Sequence, residues 1–134
     1  MPARARRTLN RNPTMDDYQY DCASAEFGEL ARVICDLFPE QTHFAERTDE
    51  AGRFLAVHWL AMRFGATPRK TTLDVRFAGA ALQRYLALKP MQRARSHAVL
   101  RAYVEATLGS LEERHAAGEA VPRETTLELG DEFA

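Results

Sequence analysis

The segment RFLAVHWLAMRF, at residues 53–64, constrains the fold more than any other part of the sequence, because it is apolar for most of its length. A turn-forming tetrapeptide, DEAG, precedes it, and a break at residues 65–68 follows it. These boundaries and the aromatic content favour a strand, whereas a helix would place His58 and Trp59 on one face. Periodicity leaves both readings open, and we interpret the segment as a strand.

The residues before this strand predict that it pairs in a hairpin. The segment THFAERT, at 42–48, alternates between polar and apolar residues and leads into the turn. Antiparallel pairing about a turn at 49–52 sets His43 opposite His58, with Cβ atoms about 5 Å apart. Such a pair is either a cross-strand aromatic contact or a functional pair, which titrates near neutral pH or binds a metal together with a third ligand.

The remaining periodic segments predict three helices and one further strand. Apolar residues recur at helical spacing in the first segment, before Pro39, and alternate strictly in TTLDVRF. The segments are a helix at 22–38, a strand at 71–77, a short helix at 79–88 and a long helix at 91–115. The acidic end either adds one strand at 125–129 or hangs free.

This order of elements predicts a single α+β domain. We expect a small antiparallel sheet of three strands, or four, with an N-terminal helix and two C-terminal helices packed on one face. Residues 1–14 are predicted to be a disordered basic tail, residues 15–119 the domain, and residues 120–134 an acidic tail that holds the optional strand. A chain of 134 residues is long enough to bury a core without disulfides or metals.

The composition indicates a cytoplasmic protein. No stretch approaches the roughly 18 apolar residues of a membrane span, and the basic start lacks the apolar run of a secretory signal. The two cysteines, Cys22 and Cys35, are therefore expected to be reduced thiols. Arginine far outnumbers lysine, which occurs only at positions 70 and 89, and alanine is abundant. This usage suggests a GC-rich bacterial genome.

Charge is segregated along the chain. Residues 15–50 hold ten acids against two arginines, and residues 51–101 hold ten bases against one acid. The basic block is either a surface for an anion or nucleic acid, or a wetted face neutralised by the preceding acids. The isoelectric point near 6.4 favours neutralisation. The candidate anion contacts are Arg63, Arg69, Lys70, Arg76, Arg93 and Arg101.

The sequence assembles no catalytic or cofactor motif. The segment GATPRKTT lacks the glycine that precedes the lysine of a phosphate-binding loop, and a strand follows it where a helix is required. Cys35 lies among packing residues, although Asp36 and His43 are near in sequence. No HxxxH, HxH or CxxC occurs. We therefore expect no enzyme, no resident metal and no cofactor.

The strand at 53–64 is apolar on both faces, so a sheet covered on one side leaves part of it exposed. Large exposed apolar patches mark interfaces, and we expect a homodimer or a partner-binding face here. The candidate interface residues are Phe54, Leu60, Met62 and Phe64. The predicted function is a non-catalytic protein-interaction or regulatory module, and the alternative is anion or nucleic-acid binding through residues 63–101.

Overall fold

The computed structural model describes residues 18–61 and 69–134. Within them the chain forms five strands and three α-helices, with 3₁₀ turns at Cys35–Leu37 and Pro90–Gln92. In chain order these are β1 (Gln19–Asp21), α1 (Ala25–Ile34), β2 (His43–Asp49), β3 (Gly52–Ala61), β4 (Arg69–Phe77), α2 (Ala81–Ala87), α3 (Ala94–Ala116) and β5 (Glu124–Leu129). The predicted tail at 1–14 lies outside the described residues.

The sheet is mixed, and the predicted fold class is wrong in strand number and strand direction. Its order is β1-β2-β3-β4-β5. The two central pairings, β2 with β3 and β3 with β4, are antiparallel, whereas β1 runs parallel to β2 and β4 runs parallel to β5. Parallel neighbours need a crossover connection. Here α1 supplies the first crossover, and α2 with α3 supplies the second. The first helix is thus an internal connection that follows β1.

The central hairpin has the predicted register. Residues 53–61 are extended within β3, and His43 pairs with His58 while Asp49 pairs with Gly52 across the turn. Gly52 has a φ of 117°, a conformation that glycine adopts without a steric cost. The remainder of the predicted strand, residues 62–64, lies outside the described residues.

The first helix is shorter than the predicted 22–38 at both ends. Tyr20 and Asp21 pair with β2, so Cys22 precedes the helix instead of lying in it. Ser24 is the N-cap, and its Oγ accepts a hydrogen bond from the Phe27 amide at 3.2 Å. The helix ends at Ile34, and a 3₁₀ turn carries the chain toward Pro39.

The helices pack on one face of the sheet and bury the apolar residues that alternate along its strands. The hydrophobic effect of this burial is the main stabilising term of the fold. The largest buried side chains are Phe27, Leu30, Ile34, Phe44, Leu55, Val57, Leu73, Val75, Tyr85, Leu100, Leu129 and Phe133. The helical spacing of the apolar residues in α3 predicts an inward position for Tyr103, but Tyr103 is 40% exposed.

The C-terminal residues belong to the packed structure. The optional strand at 125–129 is present as β5, and Ser96 Oγ donates a 2.6 Å hydrogen bond to the carbonyl of Phe133. The Phe133 ring lies 5.1 Å from that of Tyr85 and 5.3 Å from that of Phe77, between centroids. This aromatic contact fixes the end of the chain against α2 and the sheet.

The opposite face of the sheet is largely polar, although Phe54 and Leu60 also lie on it. Successive residues alternate between faces, so the strand positions beside the core residues point away from the helices. One row crosses all five strands and consists of Gln19, His43, His58, Thr72 and Glu124. No helix of the described chain covers this face, so its side chains form an open, charged sheet surface.

Candidate functional site

The basic residues predicted to bind anions do not converge on one surface. Arg93 donates to Glu29 at 3.2 Å, and Arg101 forms two hydrogen bonds with Asp36 at 2.7 and 2.8 Å. Arg76 forms an ion pair with Asp49. All three carboxylates come from residues 15–50. The acidic block of the sequence therefore neutralises these bases within the fold.

The other predicted anion contacts lie at one end of the sheet. Arg69 and Lys70 begin β4, both are exposed, and none of the ion pairs between described residues includes either. Arg63 lies outside the described residues. Among the described members of this predicted set, the unpaired positive charge is thus confined to Arg69 and Lys70.

Two of the four predicted interface residues are described, and one of them is buried whereas the other is exposed. Phe54 is only 8% exposed, and the guanidinium of Arg76 lies over its ring at 3.9 Å from the centroid. Leu60 is 57% exposed. Met62 and Phe64 lie outside the described residues. Leu60 is therefore the one described member of the set that is open to a partner.

The histidine pair forms on the open sheet face. The rings of His43 and His58 are 6.0 Å apart between centroids, and His58 Nδ1 lies 3.1 Å from Thr72 Oγ1. Burial lowers the pKa of His58, and Arg47 adds to the effect, so the ring favours its neutral form. Among the described residues no cluster of three or more histidine, cysteine or acidic side chains is arranged for a metal.

The described residues assemble no nucleophilic site. Cys35 is buried in the core, where its thiol donates to the carbonyl of Arg32 at 3.4 Å, and His43 lies on the opposite face of the sheet. Both cysteines are free, and burial raises the pKa of the Cys22 thiol, which disfavours the nucleophilic thiolate. Neither thiol has the activating base that covalent catalysis requires.

A polar cluster joins the three helices. The Tyr85 hydroxyl lies 2.7 Å from Nε2 of His97 and donates toward the Glu29 carboxylate at 3.2 Å. Arg93 reaches the same carboxylate and stacks on the Tyr85 ring. Burial lowers the pKa of His97 and raises that of Tyr85. The cluster thus connects α1, α2 and α3 through polar contacts.

A groove of about 930 Å³ lies at the end of the sheet where β3 finishes and β4 begins. One wall comes from these strands, and the other from the C-terminal half of α3 and residues 118–122. Its apolar lining includes Phe38, Trp59, Leu60, Leu108, Leu111 and Val121. A volume near this size is typical of ligand-binding clefts, which are mostly apolar with a few polar groups.

The polar groups of the groove carry both signs of charge. Arg69 lies on the sheet wall, whereas Glu112 and Glu119 lie on the helix and loop wall. Glu119 is 3.9 Å from Arg114, and Glu112 is exposed. The groove therefore presents an apolar floor between a cationic side and an acidic side.

A family model matches residues 27–130, and its description is "Protein of unknown function (DUF3022)". The match covers more than half of the chain. The chain belongs to the DUF3022 family. The comparisons with curated proteins and with solved structures found no match.

The DUF3022 match spans most of the fold and the groove. It begins at Phe27 in α1 and ends at Gly130 just after β5, so both groove walls lie within it. Strand β1 and Phe133 lie outside the matched range. None of the described helices combines the length and the apolar content that crossing a bilayer requires.

The groove was missed in the sequence because its walls are distant along the chain. Helical spacing places Leu108 and Leu111 on the core face of the long helix, and alternation places Trp59 on one side of a strand. The one usable signal is the length of α3: its apolar residues continue beyond Val104, and Leu108 and Leu111 are only half-buried there. A helix longer than its partner surface leaves apolar side chains available to something else.

Proposed function

We propose that this chain is a non-catalytic protein-interaction module whose contact surface is the groove beside Trp59. The observation that supports this most is the continuous apolar lining between β3 and α3, with Leu60 exposed at its border. Exposed apolar surface of this kind is unfavourable in water unless a partner covers it.

The occupant we propose is a polypeptide segment with apolar anchor side chains flanked by an acidic and a basic residue. The apolar floor accepts the anchors, as in other complexes in which a few buried side chains dominate the binding energy. Arg69 on the sheet wall attracts the acidic flank, and Glu112 on the helix wall attracts the basic one. Such opposed charges fix the orientation of the segment more than they raise its affinity.

Anilinonaphthalene sulfonate, a small apolar anion that becomes fluorescent in apolar sites, tests whether the groove is open. Trp59 is the only tryptophan in the chain, so energy transfer from tryptophan to the bound probe reports binding near the groove. Leu111→Glu places a carboxylate in the apolar wall and should reduce the transfer at least tenfold. Tyr103→Glu is the matched control, because Tyr103 lies on the same helix, is exposed and is not part of the lining.

Two results would contradict the proposed groove. One is the absence of energy transfer in the parent protein at saturating probe. The other is an equal loss of transfer in the Tyr103→Glu and Leu111→Glu variants. Circular dichroism of both variants establishes that each retains the parent fold, which separates loss of the site from loss of structure.

A further inference from the structure

The open face of the sheet carries two imidazoles at directly paired positions. His43 and His58 are Cα partners on β2 and β3, and their ring centroids are 6.0 Å apart with an interplanar angle of 32°. They lie outside the groove of the proposed function, because neither is part of its lining. The register fixes their separation, since a slip by one residue would move either side chain to the core face.

This separation suits two ligands of one metal ion. Zinc–nitrogen distances are about 2.0–2.1 Å, so two imidazoles bound to one ion have ring centroids roughly 5–6 Å apart. The observed 6.0 Å is at the upper end of that range.

His58 is already oriented in the way that metal ligands are. Its Nδ1 lies 3.1 Å from the Thr72 hydroxyl, and its Nε2 is shielded from solvent without a hydrogen-bond partner in the described structure. When Nδ1 donates its proton to Thr72, Nε2 carries the lone pair that binds a metal. A hydrogen bond to the second ring nitrogen is the usual device that fixes the tautomer of a ligating histidine.

The charges around His58 favour a transition metal over Ca²⁺ or Mg²⁺. Arg47 and Lys70 lie near His58 and oppose a cation, whereas Asp74 attracts one. A hard ion such as Ca²⁺ or Mg²⁺ depends on anionic oxygen ligands and is disfavoured here. Zinc, nickel and copper bind imidazole through a strong nitrogen bond and tolerate such neighbours better.

We propose that His43 and His58 form a two-imidazole site for a divalent transition metal, with Thr72 as the residue that positions His58. The described chain contributes no third histidine, cysteine or carboxylate to the site. The remaining coordination positions therefore belong to water or to an external donor.

Titration of the full chain with zinc and with nickel tests this site, followed by the ring signals of all four histidines in NMR spectra. The expected result is one metal per chain, with the signals of His43 and His58 perturbed together. His43→Ala and His58→Ala should each weaken binding at least tenfold, and Thr72→Val about tenfold. His115→Ala is the matched control and should change the affinity less than twofold.

Two outcomes would overturn the site. One is that zinc and nickel at millimolar concentration leave both ring signals unchanged. The other is that His43→Ala or His58→Ala binds the metal as tightly as the parent chain does. His43, His58 and Thr72 are all partly exposed. Circular dichroism of each variant shows whether the fold is retained.

Discussion

The indole of Trp59 packs edge-on against the ring of Phe38, with centroids 5.0 Å apart and an interplanar angle of 63°. Phe38 is buried and belongs to the core, whereas Trp59 is partly buried and lines the groove. The indole of Trp59 therefore contacts the hydrophobic core through Phe38 and also lines the groove. The fluorescence of Trp59, the single tryptophan of the chain, should therefore respond to binding in the groove.

The two described residues of the predicted interface should differ in their effect on stability. Phe54→Ala removes a ring buried under the Arg76 guanidinium and should lower the free energy of unfolding by about 3–5 kcal/mol. Leu60→Ala changes an exposed side chain and should alter it by less than about 0.5 kcal/mol. Urea unfolding measures both. Equal destabilisation by the two substitutions would contradict the burial assigned to Phe54.

Phe133 should be as important to the fold as a central core residue, although it is the penultimate residue of the chain. Its ring is 1% exposed and contacts the rings of Phe77 and Tyr85. Phe133→Ala should cost about 3–5 kcal/mol, visible as a fall in the thermal midpoint. Glu132→Ala, at an exposed neighbour, is the control and should leave the midpoint nearly unchanged. A stable Phe133→Ala variant would show that this end of the chain does not anchor the helices.

Stability should decrease on mild acidification because two histidines are held neutral. Burial is the main cause that lowers the pKa of both His58 and His97 from 6.5 in the folded state. The unfolded chain then binds protons at a higher pH than the native chain. The contribution is fully present above the unfolded pKa of 6.5 and is lost as the pH falls below it.

Urea unfolding at about pH 7.5 and about pH 5.5 measures this dependence. His97→Gln removes one of the two titrations, so the difference in unfolding free energy between the two pH values should shrink. The exposed residue Arg95 provides the control, since Arg95→Gln leaves both histidines in place. An unchanged pH dependence in His97→Gln would contradict the shift assigned to His97.

The ion pair between Asp36 and Arg101 should contribute little to stability and should depend on salt. The Arg101 hydrogen bonds lower the pKa of Asp36, so the contribution is present above 3.8 and is lost as the pH falls through the lower folded value. Both side chains are substantially exposed, and Asp36→Asn should cost less than about 1 kcal/mol. The cost should diminish in high salt. A larger cost that is independent of salt would indicate that packing, and not charge, is lost.

The parts of the fold that could be predicted are those with a local signal. The hairpin register followed from the turn before Gly52, and the helical face of α1 followed from the spacing of its apolar residues. The neutralisation of Arg93 and Arg101 was one of two readings that the charge blocks allowed. For the hairpin and for α1, the residues that decide the structure are close in sequence, whereas Arg93 and Arg101 are 64 and 65 residues from Glu29 and Asp36.

The parts that could not be predicted depend on contacts between distant segments. Strand β1 has only three residues, too few to show alternation, and its parallel pairing with β2 is one of the two that make the sheet mixed. The other is the pairing of β5 with β4, whose parallel direction depends on how α2 and α3 cross the sheet. The groove also depends on distant segments, because Trp59 on β3 and Leu111 on α3 both line it.

Site-specific photo-cross-linking in cells that make the protein tests the proposed binding surface most directly. A benzophenone amino acid at Leu60, on the border of the groove, should form a covalent adduct with one protein partner. The same group at Met91, which is 85% exposed and outside the groove, should not form that adduct. Introducing Leu111→Glu should abolish the adduct from position 60. Equal adducts from both positions, or no adduct from position 60, would contradict the groove as the site of a protein interaction.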